Sequence, residues 1–192
     1  VGMVACAIDD NVQNHQLMLL HGAQGKGKST FIRHLLPPEL KDYYRNGMII
    51  PENNNHLLQL SSCLLINLDE FDTLSPERMQ NLKSLITQDV VNERKVYDIQ
   101  NYTYIRRASF IASTNNPHCM PDVKENRRIL FSTLLNIDYH TPVNHEGIYA
   151  QAYALYRQGF QYWYENEEIT FLNNRNEAFR QKDPIEENLF LD

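Results

Sequence analysis

The chain has 192 residues and a formal net charge of -6 at pH 7, and 42% of its residues are hydrophobic and 22% charged. This length corresponds to one domain or slightly more, and the average globular composition excludes wholesale disorder. The negative net charge argues against a simple basic nucleic-acid-binding domain.

Apolar runs and turn signals near the start of the chain predict a strand followed by a helix. The run Gln16–His21 ends in a glycine-rich turn, which is typical of a buried strand. We predict a helix over Ser29–Leu36, stopped by Pro37 and Pro38. Residues 41–56 are polar and predict a loop.

A second strand and helix are predicted in the middle of the chain. Cys63–Leu68 is an apolar run that predicts a buried strand. Ser75 then predicts a helix N-cap, with Pro76 at the first helical position. The apolar residues that follow at helical spacing are Met79, Leu82, Leu85 and Ile86.

The second half of the chain predicts a hairpin, two strands and a helix. β-Branched residues and tyrosines predict the hairpin over Val96–Ile105, and the apolar runs Ala108–Ser113 and Ile129–Leu135 predict the strands. Helical spacing over Gly147–Trp163 predicts the helix. The aromatic residues expected to pack its end on the core are Phe160, Tyr162, Trp163 and Tyr164.

Apolar strands that alternate with helices indicate the fold class. They predict an α/β fold, a three-layer αβα arrangement whose mainly parallel central sheet is covered on both faces. We expect residues 1–144 to form the core and residues 145–192 to form a C-terminal helical region packed on it. The chain begins at Val1 rather than Met, so we expect it to be a domain of a longer protein.

The strongest motif runs from Gly22 to Ser29 and fits the P-loop pattern GxxxxGK[ST] without a mismatch. It follows a predicted strand and opens a predicted helix, where glycines let backbone N–H groups wrap phosphate oxygens and the helix N-terminus adds positive charge. We expect Lys28 to reach the β- and γ-phosphates and the Ser29 hydroxyl to bind Mg²⁺. The predicted ATP-binding residues are Gly22, Gln24, Gly25, Lys26, Gly27, Lys28, Ser29 and Thr30.

Polar residues at later strand ends predict the rest of a catalytic site. We expect Asp69 in the Mg²⁺ shell and Glu70 as the group that orients or deprotonates the attacking water. Asn115 is expected to contact the γ-phosphate or position water, with an ordinary Asn-Asn-Pro turn as the alternative. Arg127 or Arg128 is expected to be an arginine finger, because a guanidinium stabilises transition-state charge, with a solvated charge pair as the alternative.

In this order the motifs resemble the virulence-associated protein E family, over about residues 16–130 and more loosely through 147–190. That family is similar to superfamily 3 helicases and to the AAA+ ATPases of phage and plasmid replication proteins. The resemblance implies a P-loop NTPase fold and Mg²⁺-dependent ATP hydrolysis coupled to DNA translocation or unwinding, in replication of a phage, plasmid or other mobile element. It also implies a homo-oligomeric, hexameric ring in which the finger reaches a neighbouring subunit's ATP, and a primase domain in the same chain.

The predicted hairpin carries the candidates for contact with single-stranded or forked DNA: Arg94, Lys95, Tyr102 and Arg106. Basic residues can follow a phosphate backbone and aromatic rings can stack on bases, whereas packing of the hairpin is the alternative. Counted by segment, the charge no longer excludes nucleic acid and indicates which region would meet it. Residues 78–128 hold 9 basic and 5 acidic residues, a net of +4, while residues 145–192 hold 4 basic and 9 acidic residues, a net of -5.

Three cysteines without CxxC spacing predict reduced thiols, with no disulfide framework and no zinc site. The apolar runs are too short to span a membrane, and no signal-peptide pattern is present in this sequence. We therefore expect a cytoplasmic protein with no membrane partner.

Two other functions stay open from the sequence. One is an ATP-controlled oligomeric module that recruits a primase or another partner without unwinding. The other is a small-molecule kinase, because a P-loop alone permits phosphoryl transfer to a metabolite. Asn115 and the paired arginines favour the ATPase over the kinase.

Overall fold

A computed structural model of the chain describes residues 1–50, 53–69, 71–93, 100, 102–120 and 126–181. The helices are α1 (Gly2–Ile8), α2 (Lys28–Arg33), α3 (Asn54–Ser62), α4 (Pro76–Thr87), α5 (His145–Arg157) and α6 (Asn166–Glu177). The strands are β1 (Leu17–His21), β2 (Tyr44–Asn46), β3 (Leu65–Leu68), β4 (Val90–Glu93), β5 (Tyr102–Ile105), β6 (Ser109–Thr114) and β7 (Ile129–Thr133).

Within these residues, five strands form one sheet in the order β2-β3-β6-β1-β7, and each neighbouring pair is parallel. Every residue of β3 and β6 is buried, as expected for strands in the middle of a sheet covered on both sides. Because all five strands run the same way, the loops that follow β1, β3 and β6 meet at one edge of the sheet. That edge carries the residues predicted to hold phosphate and metal.

Successive strand residues point to opposite faces, so each face has its own core. On one face, Leu19 and Phe110 pack with residues of α3 and α4 such as Leu60. On the other face, Leu20 and Ile111 pack with Ile32 of α2, and side chains of α1 lie against this cluster. The chain thus has a three-layer α/β fold with a parallel central sheet, which confirms the architecture expected from the alternating pattern.

The four predicted buried strands are β1, β3, β6 and β7. The predicted N-cap of α4 is also confirmed, because the Ser75 hydroxyl accepts a hydrogen bond of 3.3 Å from the Arg78 backbone N–H. β4 and β5 pair antiparallel, as a hairpin requires, with Val90 opposite Ile105. The first arm of this hairpin lies upstream of the predicted Val96, and residues 94–99 fall outside the described ranges.

Two helix predictions were wrong in their bounds, and the loop predicted over 41–56 contains β2 and the start of α3. α2 ends at Arg33, three residues before the predicted Leu36. The predicted loop contains the start of α3, because the Asn53 side chain caps a helix by accepting from the backbone N–H groups of Asn55 and His56 at 3.0 and 3.3 Å. An asparagine run favours a turn, but it also favours a helix N-cap.

The predicted helix over 147–163 ends at Arg157 instead. Gly159 follows with a φ of +76°, a left-handed conformation that L-residues rarely adopt and that commonly closes a helix. Phe160, Trp163 and Tyr164 therefore lie beyond the helix, and they are 50%, 44% and 39% exposed. The expectation that they pack a helix on the core was wrong.

Specific contacts join the C-terminal helices to the sheet layers. The Tyr149 hydroxyl of α5 donates to the Leu35 carbonyl at 3.1 Å. The Asn176 amide of α6 donates to the carbonyls of Asn126 and Ile129 at 3.2 and 2.9 Å, and the Phe179 and Phe131 rings stack with centroids 3.6 Å apart. The division at residue 144 stays a prediction.

Candidate functional site

The glycine-rich loop between β1 and α2 turns the chain sharply above the carboxyl edge of the sheet. Gly25 and Gly27 have φ values of +77° and +81°, in the left-handed region where glycine carries no steric cost. The Gly22 N–H donates to the Thr114 carbonyl at 3.2 Å, which joins the start of the loop to the end of β6. The local sequence therefore builds the turn, and the sheet holds it in place.

Lys28 is the centre of this site. It is only 7% exposed, and its Nζ donates to the carbonyls of Gly22 and Ala23 at 2.6 and 3.0 Å and to Asn115 Oδ1 at 2.7 Å. Burial lowers the pKa of the Lys28 ammonium, while the nearby carboxylates of Asp69 and Asp72 act to raise it. These three acceptors use all three N–H groups of the ammonium, so a phosphate at the base of the loop would bind Lys28 in place of one of them.

Two carboxylates follow β3, beside the lysine, and each accepts a hydrogen bond from a hydroxyl at the end of the neighbouring strand β6. The Ser113 hydroxyl donates to Asp69 Oδ1 at 3.0 Å, and the Thr114 hydroxyl donates to Asp72 Oδ1 at 3.1 Å. Hydroxyl and carboxylate oxygens are the ligands that Mg²⁺ prefers. The side chains of Asp69 and Ser29 therefore fit the metal role that the sequence predicts.

These side chains surround a cleft of about 580 Å³. Its lining includes the predicted residues Gln24, Gly25, Lys26, Gly27, Lys28, Ser29, Thr30, Asp69 and Asn115. Gly22 contributes the carbonyl that binds Lys28. Glu70, the predicted water-activating residue, lies outside the described residues.

Four residues of the cleft were not predicted to belong to it. Asp72, Ser113 and Thr114 lie close to predicted residues in the chain, so the position of the strand ends could have indicated them. Tyr139 follows β7 and carries no sequence signal of this kind. Its ring lies so close to Gly27 that a Cβ added to that glycine would overlap it.

The paired arginines lie at the opposite edge of the sheet. Arg127 and Arg128 form a short turn directly before β7, whereas the glycine-rich loop follows the far end of β1, the strand that pairs in parallel with β7. Five strand residues separate these two edges by roughly 13–17 Å. The arginines line a second cavity with Tyr162, Trp163 and Tyr164 and not the cleft of their own chain.

Comparison with known proteins agrees with this architecture. The family model of the virulence-associated protein E-like domain matches residues 1–181. The chain belongs to this family. No curated protein sequence matches this virulence-associated protein E-like (VapE-like) domain significantly.

Solved structures resemble the VapE-like domain in fold. Two apo structures of the NrS-1 C-terminal region (305–718) align over 93% of the chain, with TM-scores of 0.51 and 0.50 and 16% sequence identity in each case. The chain covers only 39% and 37% of the length of the chains in those two structures. At this identity the likeness concerns the fold alone.

The structure of the VapE-like domain contradicts one predicted nucleic-acid contact. Arg106 is fully buried, and its guanidinium donates to three backbone carbonyls, those of Gln88 at 2.6 Å, Ala108 at 2.5 Å and Asn14 at 3.1 Å. A side chain enclosed in this way cannot reach a phosphate backbone. The sequence shows that Arg106 is charged but not that its side chain is buried.

The other predicted nucleic-acid contacts have different outcomes. Tyr102 lies on β5 and is 41% exposed, with its ring 6.3 Å from that of Tyr104. Arg94 and Lys95 lie outside the described residues. Contact between the hairpin and nucleic acid stays a prediction, resting on Tyr102 among the residues that the structure describes.

The cysteines of the VapE-like domain are all buried and reduced. Burial raises the pKa of the Cys119 thiol to about 11, so it is protonated at neutral pH, as expected for a thiol without a catalytic role. In the described parts of the chain, no group of three or more His, Cys, Asp or Glu side chains could hold a metal ion. Nor does any helix in those parts have the length and hydrophobicity needed to cross a bilayer.

Proposed function

We propose that this VapE-like domain binds ATP with Mg²⁺ in the cleft and hydrolyses it. The observation that carries the proposal is the bond between Lys28 and Asn115 beneath a complete P-loop sequence, with Asp69 on the next strand end. This combination of a cation, a carboxylate and an amide at one strand edge is what phosphoryl transfer to water requires.

Each residue has a definite task in this proposal. Lys28 binds the β- and γ-phosphates, and the loop N–H groups bind the remaining phosphate oxygens. Ser29 and Asp69 hold Mg²⁺, which when bound neutralises charge on the phosphates. Asn115 positions the attacking water or the γ-phosphate, and Glu70 accepts the proton of the water.

The wider role that we propose is replication of a phage, plasmid or other mobile element, with hydrolysis coupled to translocation on DNA or to its unwinding. The proposed role includes a homo-oligomeric ring, because Arg127 and Arg128 lie at the opposite edge of the sheet from their own cleft and would act on a neighbouring subunit. The alternative is an ATP-controlled oligomeric module that recruits a primase or another partner without unwinding. A strand-displacement assay on a forked duplex separates these two, since only the first predicts ATP-dependent unwinding.

Lys28→Ala and Glu70→Gln test the enzymatic proposal directly. We expect Lys28→Ala to abolish both ATP binding and phosphate release, because it removes the cation that meets the phosphates. Glu70→Gln should retain binding and lose turnover, because the amide cannot accept the proton. Phosphate release and nucleotide affinity are measured on each variant in Mg²⁺.

Arg78→Ala is the matched control, since Arg78 is an exposed cation on α4, away from the cleft. It should behave as the unaltered protein does. Hydrolysis that survives Lys28→Ala, or no hydrolysis by the domain either alone or joined to its native flanking segments, would contradict the proposal.

A further inference from the structure

Another cavity, distinct from the one lined by the paired arginines, adjoins the P-loop cleft, and Tyr139 lines both. This cavity has a volume of about 440 Å³ and lies between the end of α2 and the loop that follows β7. Its walls include Leu36, Pro142 and Val143. Its size and partly apolar lining are typical of a small-molecule site.

Aromatic rings stand where the two cavities meet. The Tyr139 ring lies against Gly27 of the P-loop, and the His140 ring lies 4.2 Å from it, tilted by 37°. A tyrosine face at this position can stack on a flat aromatic ligand that leaves the P-loop on this side.

The loop that carries these rings is held by its own hydrogen bonds and by contacts with α2. Asp138 Oδ1 accepts from the backbone N–H groups of His140 and Thr141 at 3.1 and 3.0 Å. His145 Nε2 lies 2.7 Å from the His34 carbonyl, which joins the loop to the end of α2. These contacts fix the loop beside α2, and a fixed loop lowers the entropic cost of binding a ligand.

The strand order determines which end of a bound nucleotide faces this cavity. β3 and β6, which carry Asp69 and Asn115, lie on one side of β1, and β7 lies on the other. Mg²⁺ bound by Asp69 would draw the terminal phosphates to the β3 and β6 side of the loop, so the nucleoside would leave the loop on the β7 side. α2 is six residues long, about 9 Å, which is comparable with the reach from the β-phosphate of a nucleotide to its base.

We propose that the cavity between α2 and the loop after β7 binds the nucleobase of the nucleoside triphosphate, with Tyr139 stacking on the base. This inference rests on the proposed phosphate site at Lys28 and extends it to the other end of the same ligand. The face of the Tyr139 ring can stack on any purine. Stacking therefore explains affinity for a base but not selectivity between bases.

Binding of ATP and of inorganic tripolyphosphate, each with Mg²⁺, tests the inference by calorimetry. Tripolyphosphate carries the same phosphates without base or ribose. We expect Tyr139→Ala to weaken ATP binding roughly tenfold, as loss of one base–aromatic stack does, while its affinity for tripolyphosphate changes by less than about twofold. Tyr139→Phe should bind ATP as the unaltered protein does, because it keeps the ring.

Two further variants keep the test independent of folding. Tyr153→Ala removes an exposed tyrosine of α5, away from both cavities, and should change neither affinity. Val143→Trp fills the cavity and leaves Tyr139 in place, so it should weaken ATP binding and spare tripolyphosphate even if Tyr139→Ala does not fold. Thermal unfolding is recorded for each variant.

The outcomes distinguish this inference from the proposed function. If the unaltered protein binds tripolyphosphate as tightly as ATP, or if Tyr139→Ala and Val143→Trp weaken both ligands equally, the phosphate site stands and the base site is overturned. If the unaltered protein binds neither ligand, the phosphate site fails and the base site fails with it.

Discussion

Lys28 and Arg106 are both buried cations, and their different hydrogen-bond acceptors indicate different roles. Lys28 binds two loop carbonyls and the Asn115 side chain at the base of an open cleft, where a phosphate can approach. Arg106 donates to three backbone carbonyls of surrounding segments, and its guanidinium also lies 5.9 Å from the Phe110 ring centroid. The surroundings of Lys28 fit the proposed phosphate site, whereas Arg106 belongs to the framework that holds β5 and β6.

Arg106→Ala should therefore destabilise the domain and not act on nucleic acid directly. It leaves three backbone carbonyls without this donor, one of them on the fully buried Ala108, and removes a large buried side chain, so we expect the free energy of unfolding to fall by about 3 kcal/mol. Urea unfolding followed by circular dichroism measures this change.

Arg107→Ala is the control at the adjacent position. Arg107 pairs with the exposed Asp10 and donates to the Cys6 carbonyl at 3.3 Å, so its loss should cost about 1 kcal/mol or less. Equal losses of stability for the two variants would contradict the structural role assigned to Arg106.

At the scale of elements, α6 is joined to the segment that carries the paired arginines. Asn176 is fully buried on α6, and its amide donates to the carbonyls of Asn126 and Ile129, on either side of Arg127 and Arg128. The helix thereby holds the turn at the amino end of β7. A finger in this turn depends on α6 for its position.

Asn176→Ala should lower stability by about 2–3 kcal/mol, because two buried carbonyls lose their donor. If the turn carries a finger, ATP turnover should also fall while ATP affinity stays the same, because the cleft lies at the other edge of the sheet. Chemical unfolding, phosphate release and nucleotide binding are measured together. Asn174→Ala alters an exposed position on the same helix and should change the free energy of unfolding by less than about 0.5 kcal/mol. A loss of stability as large as that of Asn176→Ala would show that the two hydrogen bonds of Asn176 are not its cause.

At the scale of the whole molecule, the parallel sheet places the phosphate cleft and the arginines at opposite ends. In the proposed ring, a subunit built in this way would present its cleft to one neighbour and its arginines to the other, in a head-to-tail arrangement. The basic interval 78–128, with a net charge of +4, covers the hairpin and the arginines, and the acidity lies mainly in residues 145–192. The overall charge of -6 therefore does not exclude nucleic acid.

Mixing two inactive variants tests action between subunits. Lys28→Ala lacks the phosphate site and Arg127→Ala lacks the proposed finger, and each should hydrolyse no ATP alone. Mixed in equal amounts, they should recover about a quarter of the normal rate, because one neighbouring pair in four combines an intact site with an intact arginine.

Lys28→Ala mixed with the double variant Lys28→Ala, Arg127→Ala supplies the control, since no pair in that mixture has an intact site. Full activity of Arg127→Ala by itself would show that Arg127 is not the finger, and Arg128→Ala would then be tested in the same way. Light scattering with and without ATP and Mg²⁺ measures the assembly itself.

Most of the framework of the site could be predicted from the sequence, because local patterns encode it. A P-loop needs its glycines, lysine and serine in consecutive order, and Gly25 and Gly27 take the left-handed conformations that this order requires. The cap at Ser75 and the buried strands follow from equally local rules. The end of the helix at Arg157 was missed because the helical spacing continued beyond Gly159, whose conformation stops the helix.

The sequence by itself determined the strand–loop–helix unit around Lys28, the α/β class and the order of the motifs, because each depends on residues close together in the chain. Only the tertiary structure decided that Arg106 is enclosed, that Tyr139 lies on Gly27, and that Arg127 lies away from its own cleft. These facts depend on contacts between residues far apart in sequence. The burial of a side chain and the residues that contact it are set when the sheet assembles. No local pattern of charge or hydrophobicity predicts them.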